Sequence, residues 1–344
     1  MAGQPPEGVD AAGAPALYAV GVDLGGTNLK VALVERTRGI VQRVSVPTEA
    51  EHGVARVLDR LADGVAEIAR AVPDGAAVAG VGVGAPGNVL LDRATVPKMT
   101  NFFGWEDVHV PDELAGRFAS RGVALDGPVL VDNDANVAGL GSAFYGAGRA
   151  FGTFVMVTLG TGVGGAIVVD RRLFRGVTGA AGEVGHISID YEGPRSRAGV
   201  AGAVEAYLGQ KHLSGHARDR LRTRETSLHA TFGPDLVGLT PHALHTAAAA
   251  GDAAARDALA WAGHKLGVAL ASAVNLLDIR KVVVGGGVSA AGEFLLGPAR
   301  TALRHAVMPA MREGLEVVQE TRGNDVALLG AAHLAFEHAG DRVG

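Results

Sequence analysis

Apolar and polar positions repeat in one pattern at two places along the chain. Residues 18–35, YAVGVDLGGTNLKVALVE, and residues 153–170, TFVMVTLGTGVGGAIVVD, each run from an apolar strand through a Gly/Thr turn into a second apolar strand. The first copy predicts strands near 18–23 and 28–35, followed by a third near 40–46. Apolar positions at helical spacing over 53–71 predict a helix, and AVAGVGVGAPG at 77–87 a buried strand entering a turn. A helix near 111–121 and the strand PVLVDND at 128–134 complete a first domain, and a helix beginning NVAGLG leads on to a second. In that second domain helices are expected near 203–213, 241–250, 252–277 and 291–310, with a strand at 281–286. The segment DVALLGAAHLAFEH near the end reads as a further helix.

The segment after each glycine turn decides the chemistry of that turn. Glycine tolerates positive φ and carries no Cβ, so backbone N–H groups can approach an anion closely. Dinucleotide and P-loop sites run strand, turn, helix. Here Gly25-Gly26-Thr27 leads into the β-branched, apolar run 28–34, closed by the turn signal Arg38-Gly39. That is a hairpin partner, and neither GxGxxG after a strand nor GxxxxGK[ST] is present. Taken singly, each copy would be an ordinary Gly-containing hairpin. The pair, with Asp23 and Thr27, points to two turns that hold one polyphosphate.

At 344 residues the chain has the length of two domains, each with room for a core. There are 31 basic and 36 acidic residues, a net charge of −5, and no basic run, so nucleic acid is not an expected partner. The absence of Cys excludes disulfides and thiolate metal sites. Residues 1–15 are rich in Ala, Gly and Pro, without a basic or apolar signal-peptide region, and read as a loose tail. No apolar stretch approaches the ~18 residues of a membrane span. A soluble, cytoplasmic protein with no membrane partner is expected.

DLGGTNLK at 23–30, VDNDANVAGLG at 131–141, LGTGVGG at 159–165, GEVGHISID at 182–190 and VVVGGGVS at 282–289 together resemble the ROK family of sugar kinases and related repressors. The blocks stand in the family's order and spacing over nearly the whole chain. The resemblance implies a two-domain α/β fold, the actin-like ATPase (ribonuclease H-like) fold with an interdomain cleft. It divides the chain into a tail, 1–16, an N-terminal domain, 17–135, joined by a returning helix, 327–340, and a C-terminal domain, 136–326. It also implies a homodimer.

Site residues carry over position by position. Asp134, at a strand end before a helix, matches the general base that takes the proton of the attacking hydroxyl. Spacing alone would make Asp132 or Asp134 an N-cap; Asp132, where many relatives carry Glu, is given no chemical role. Asp23 would hold Mg²⁺ through water, since Mg²⁺ favours one or two carboxylates plus substrate phosphates. Gly25, Gly26 and Thr27 from one turn, and Thr161, Gly162 and Gly164 from the other, would meet phosphate oxygens of ATP. Lys30 would add positive charge or point to solvent. Glu183, His186 and Glu205 match hexose-binding groups, and carboxylate and imidazole suit adjacent hydroxyls. Gly87, Asn88, Thr100, Asn101 and Asn133 match further sugar contacts. Gly285-Gly286-Gly287, after an apolar strand, resembles the adenosine turn, although a plain strand-to-helix turn explains it nearly as well.

One departure stands out. Many ROK proteins carry three zinc-binding cysteines after the Gly-x-x-Gly-His segment; here Ser196, Ala198 and Ala203 occupy those positions. Hydroxyl and methyl groups do not replace thiolates, so no structural zinc is expected. The histidine pairs His212/His216 and His242/His245 lack carboxylate support and read as surface residues. The resulting expectation is an ATP- and Mg²⁺-dependent hexose kinase, a glucokinase first, with an N-acetylhexosamine, mannose or fructose kinase as the alternative within the family. Polyphosphate is a second possible donor. A repressor would carry a winged-helix segment ahead of the first turn, where only about fifteen residues stand; a non-catalytic sugar-binding regulator would not need Asp23, Thr27 and Asp134.

Overall fold

The computed structural model describes residues 16–99 and 101–341, so the expected tail at 1–15 and Thr100 lie outside the described residues. The chain divides into two compact units. The first comprises residues 1–146, 171–181 and 325–344, and the second residues 147–170 and 182–324.

The first unit starts from the predicted hairpin, β1 (Leu17–Leu24) and β2 (Asn28–Glu35), extended by β3 (Gly39–Pro47). The helix α1 (Val54–Ala69) then leads to β4 (Ala77–Ala85). A small antiparallel hairpin, β5 (Thr95–Lys98) with β6 (Glu106–His109), precedes α2 (Val110–Ser120), β7 (Val129–Asn133) and α3 (Asp134–Tyr145). The five-stranded sheet runs β3-β2-β1-β4-β7. Its first two pairings are antiparallel and its last two parallel. Parallel neighbours end on the same side, so the C-terminal ends of β1, β4 and β7 lie together. Val20, Val22, Leu29, Val31, Val81 and Val83 pack on one face with Leu58, Leu61 and Ile68 of α1.

The second unit repeats this plan with β8 (Phe154–Leu159) and β9 (Val163–Val169) as its antiparallel hairpin. After β9 the chain passes through β10 (Arg172–Phe174). It continues through α4 (Glu205–Leu208), α5 (Gln210–Leu221), α6 (His229–Phe232), α7 (Pro241–Ala249) and α8 (Ala253–Leu277). Then come β11 (Lys281–Gly285), α9 (Glu293–Ala306) and β12 (Glu316–Gln319), with the strands in the order β9-β8-β11-β12. The helix expected at 203–213 is split in two. At Gly209 (φ −55, ψ 138) the backbone leaves the helical region, and the next N–H, of Gln210, bonds to the carbonyl of Gly160 at 2.9 Å.

The last helix, α10 (Asp325–Asp341), belongs to the first unit. It covers the sheet face opposite α1, and glycines make room for it: a Cβ on Gly21 would overlap the carbonyl oxygen of Leu328, and one on Gly82 that of Ala331. The helix α3, expected to open the second domain, lies in the first unit and crosses α10 at Gly141 and Gly330.

The contact between α3 and α10 also contains His333, which is 8% exposed and stacked on Phe144 with ring centroids 3.6 Å apart. Burial, and then the Arg36 charge, lower its pKa to about 3. An unfolded histidine takes a proton below about pH 6.5. Between these values the unfolded chain binds more protons than the fold, so this group's contribution is fully kept above about 6.5 and is lost as pH falls toward 3. A His333→Phe variant keeps the stack and removes the titration. From pH 7 to pH 5 it is expected to lose about 2 kcal/mol less stability than the parent, read from denaturant unfolding at the two pH values.

Candidate active site

Strand register places the first unit's candidate residues. Asp23 pairs with Gly84 between β1 and β4, and Gly84 with Asp132 between β4 and β7. The three positions form one row at the strand ends, which is where open α/β sheets bind ligands. Gly84 has to be glycine for α3 to start where it does: a Cβ there would stand 2.6 Å from Val137 Cγ2 and 3.7 Å from the Asp134 Cα.

Asp134 is the first residue of α3 and is exposed. The cap is not its task. Asn133 Oδ1 accepts from the N–H groups of Ala135 at 2.9 Å and Asn136 at 3.2 Å, while Asp134 Oδ1 accepts from its neighbour Ala135 at 2.8 Å. Asn133 Nδ2 donates to the Gly87 carbonyl at 2.9 Å, which leaves Asn133 one amide hydrogen for a ligand. That bond ties the β7 end to the loop of Gly87 and Asn88. Asn88 is half-buried, and its Oδ1 is a buried acceptor with no protein partner. Asn101 lines a cavity of about 550 Å³ together with Gly26, Glu51, Lys98, Phe102 and Glu106.

The first glycine turn is held open from behind. Thr48, fully buried, donates its Oγ1 to the Gly25 carbonyl at 2.6 Å, and its N–H to the Thr27 carbonyl at 2.9 Å. A trans peptide sets its N–H opposite its C=O, so the Gly26 N–H points away from Thr48. Gly26 and Thr27 are exposed, and a Cβ on Gly26 would meet nothing within 4 Å. Lys30 is part-exposed, and its Nζ lies 3.4 Å from Asp23 Oδ2, directly across the hairpin. A single aspartate beside an open backbone turn suits an ion that keeps most of its waters.

In the second unit the matching turn is pinned the same way. The Gly160 carbonyl accepts from Gln210 at the start of α5, and Glu205 Oε2 accepts the Val163 N–H at 3.1 Å. A Cβ on Gly162 would overlap that same carboxylate oxygen, so Glu205 sits under the turn. Thr161 is exposed, and Gly164 faces Thr158 across the hairpin. Gly285 ends β11, and Gly286 and Gly287 follow it beside this turn. Gly286 has φ +84, and a Cβ on it would overlap the Leu159 carbonyl, whereas one on Gly287 would meet nothing. Gly286 is therefore packed closely on the β8 backbone, while Gly287 faces open space. Gly286→Ala is expected to lower the melting temperature by several degrees, since the conformation is nearly Gly-only and the Cβ would overlap the Leu159 carbonyl; thermal unfolding would read it.

Glu183 and His186 lie on one short 3₁₀ turn, with His186 Nε2 3.7 Å from Glu183 Oε2. The other ring nitrogen, Nδ1, is buried without a partner. The next loop is organised by hydrogen bonds. Ser188 Oγ donates to the Ala201 carbonyl at 2.7 Å, and the Tyr207 hydroxyl to Asp190 Oδ2 at 3.2 Å. Among the described residues no group of three or more His, Asp or Glu comes together as a ligand set. No described helix is long and apolar enough to cross a membrane.

Comparison with known proteins identifies the family. The model of the ROK family matches residues 19–338. The chain belongs to the ROK family. This ROK protein is 33% identical to the glucokinase of Thermotoga maritima over 95% of its own length and 99% of the relative's. It is likewise 33% identical to the glucokinase of Halalkalibacterium halodurans, over 92% of this chain and 94% of that one. Among solved structures, the ROK family glucokinase of Streptomyces griseus, in complex with glucose and AMPPNP, superposes with a TM-score of 0.79 at 31% identity. The match covers 93% of this chain and 99% of that one. The fold is the actin-like ATPase fold of ROK kinases, with one main sheet in each unit.

Thr48, which holds the first glycine turn, carries no local signal in the sequence. Thr48 sits in an unremarkable PTEA stretch, and its partners lie more than twenty residues away.

Proposed function

We propose that this ROK protein transfers the γ-phosphoryl group of ATP to the primary hydroxyl of a hexose, with glucose as the preferred acceptor and glucose 6-phosphate as the product. The observation that carries the reading is the placement of Asp134. An exposed carboxylate stands just past the end of β7, two residues beyond the row that Asp23, Gly84 and Asp132 form across the parallel strand ends, and Asn133 takes over the capping of α3.

In this reading Asp134 accepts the proton of the attacking hydroxyl as the oxygen closes on phosphorus. Asn88 receives a sugar hydroxyl on its unpartnered oxygen, and Glu183, His186 and Glu205 bind others. The N–H groups of the two glycine turns hold phosphate oxygens, with Gly285, Gly286 and Gly287 beneath the nucleoside. Mg²⁺, held through Asp23, would neutralise charge on the phosphates. Lys30 neutralises Asp23 in its absence. A cytoplasmic homodimer belongs to the same reading.

A coupled ADP-release assay with ATP and Mg²⁺ tests it, against glucose, mannose, fructose, N-acetylglucosamine and N-acetylmannosamine, with a no-sugar control and inorganic polyphosphate as a second donor. Strong release with glucose is the expected result. Release with another sugar would move the substrate within the family. Silence with every sugar and both donors from a folded protein would overturn the kinase reading in favour of a sugar-binding regulator.

A further inference from the structure

We propose that the buried pair Asp132–Arg175 is a positioning device that holds the hexose loop, residues 87–91, in register with Asp134; as a statement about catalysis it rests on the kinase reading above.

Asp132 is fully buried and Arg175 is 8% exposed, with Arg175 Nε 3.0 Å from Asp132 Oδ2. Ions taken out of water are costly unless each is met on several sides, and these are. The two terminal nitrogens of Arg175 face the loop. Nη2 donates to the carbonyls of Val89 at 3.1 Å and Leu90 at 2.9 Å, and Nη1 to that of Leu91 at 3.2 Å. Asp132 faces the other way with its second oxygen. Oδ1 accepts the N–H of Asn133 and the Nδ2 of Asn136, both at 2.8 Å. One ion pair thus joins three consecutive carbonyls of the hexose loop to the residues on either side of Asp134. The Asn133–Gly87 bond closes the ring at the far end of the same loop.

The arm that carries Arg175 is fitted to this task. Gly179 has φ +95, and a Cβ on it would overlap the Val89 carbonyl and stand 3.5 Å from Asn88 Oδ1. The arm therefore lies directly on the loop that would touch sugar. Lysine could not substitute: the planar guanidinium presents five donors in a fixed fork, whereas an ammonium is a compact point charge with three. Arg93 Nε, 3.7 Å from Asp132 Oδ2, leaves the carboxylate a second cation, so a variant at Arg175 should still fold.

Positioning of this kind acts on one substrate. A displacement of the acceptor hydroxyl by about 1 Å costs on the order of 100-fold in rate, while the nucleotide turns of the second unit are untouched. The test uses Arg175→Lys, Asp132→Asn and the double variant of the full chain. Kinetics would be read with hexose and ATP varied separately, alongside thermal stability and amide hydrogen exchange of peptides covering 87–91, 132–136 and, as a control, 281–291. Expected are a hexose kcat/KM lowered about 100-fold, an ATP KM within about twofold of the parent, and a double variant no worse than the worse single one. Exchange should quicken at 87–91 and 132–136 but not at 281–291. An unchanged hexose kcat/KM overturns the proposal. So does a KM for ATP that rises in step with the hexose loss, together with a lowered melting temperature, which is the signature of a mere structural brace. If the parent itself turns over no sugar, the kinase reading has failed, and exchange alone decides the clamp: unaltered exchange at 87–91 in both single variants overturns it.

Discussion

An Asp134→Asn variant is expected to lose about 100- to 10,000-fold in hexose-dependent ADP release while binding hexose almost as well as the parent. Asparagine keeps the side chain's shape and an oxygen that can accept the Ala135 N–H, as Asp134 Oδ1 does at 2.8 Å. The cap of α3 stays with Asn133, so the helix start and the β7 end are preserved. The negative charge and the ability to take up a proton are removed. Turnover measured in the coupled assay, with hexose affinity measured by calorimetry, separates the two effects. Near-normal turnover would sink Asp134 as the base, and loss of both turnover and binding would make it a binding residue.

The largest expected effect on stability is at Gly330. A Cβ there would overlap the Val137 carbonyl oxygen and stand 2.5 Å from the Gly141 nitrogen. Both are backbone atoms of α3, so no side-chain rotation relieves the clash. The reciprocal position is equally closed, because a Cβ on Gly141 would overlap the carbonyl of Val326. The two helices can accommodate Gly330→Ala only by moving apart, which opens the packing around Val137, Leu140, Ala331 and Leu334. Overpacking of this kind costs roughly 2–4 kcal/mol. The transition of the first unit should fall by several degrees in calorimetry, with the second unit's transition in place. A melting curve indistinguishable from the parent's would show that the two helices do not cross in backbone contact.

Several parts of the fold can be read from the chain because their signals are local. The β1–β2 hairpin announces itself by an apolar run on each side of Gly25-Gly26-Thr27, and α1 by its apolar spacing. The break at Gly209 cannot be read, since the acceptor that pulls Gln210 out of the helix is Gly160, fifty positions earlier. The β5–β6 hairpin has no clean alternation; a bond within it, Trp105 Nε1 to the Val96 carbonyl at 3.2 Å, helps to hold it.

The candidate site divides in the same way. Residues that would touch ligand stand in compact motifs, whereas those that hold them do not. Asp132 offers only a carboxylate next to Asn133, and Arg175 only a basic residue before a glycine. Their joint meaning depends on a contact between segments 43 positions apart, 175 minus 132, which no local pattern encodes. Lys30 is ambiguous in the sequence for a related reason. Strand periodicity gives the side of the sheet, but only the cross-strand register sets its Nζ against Asp23.

The return of α10 to the first sheet also has a consequence for biosynthesis. The glycine-lined face of β1 and β4 is translated well before α10, the helix that seals it. About 250 residues separate Gly82 from Gly330, and at about 5–20 residues per second their synthesis takes roughly ten seconds to a minute. During that interval the second unit has all of its own strands and can finish folding, while the first waits with one side of its sheet bare. The nascent chain is therefore most vulnerable to aggregation through its N-terminal half. A ribosome that stalls before Asp325 would release a polypeptide with a completed second unit and an unsealed first one.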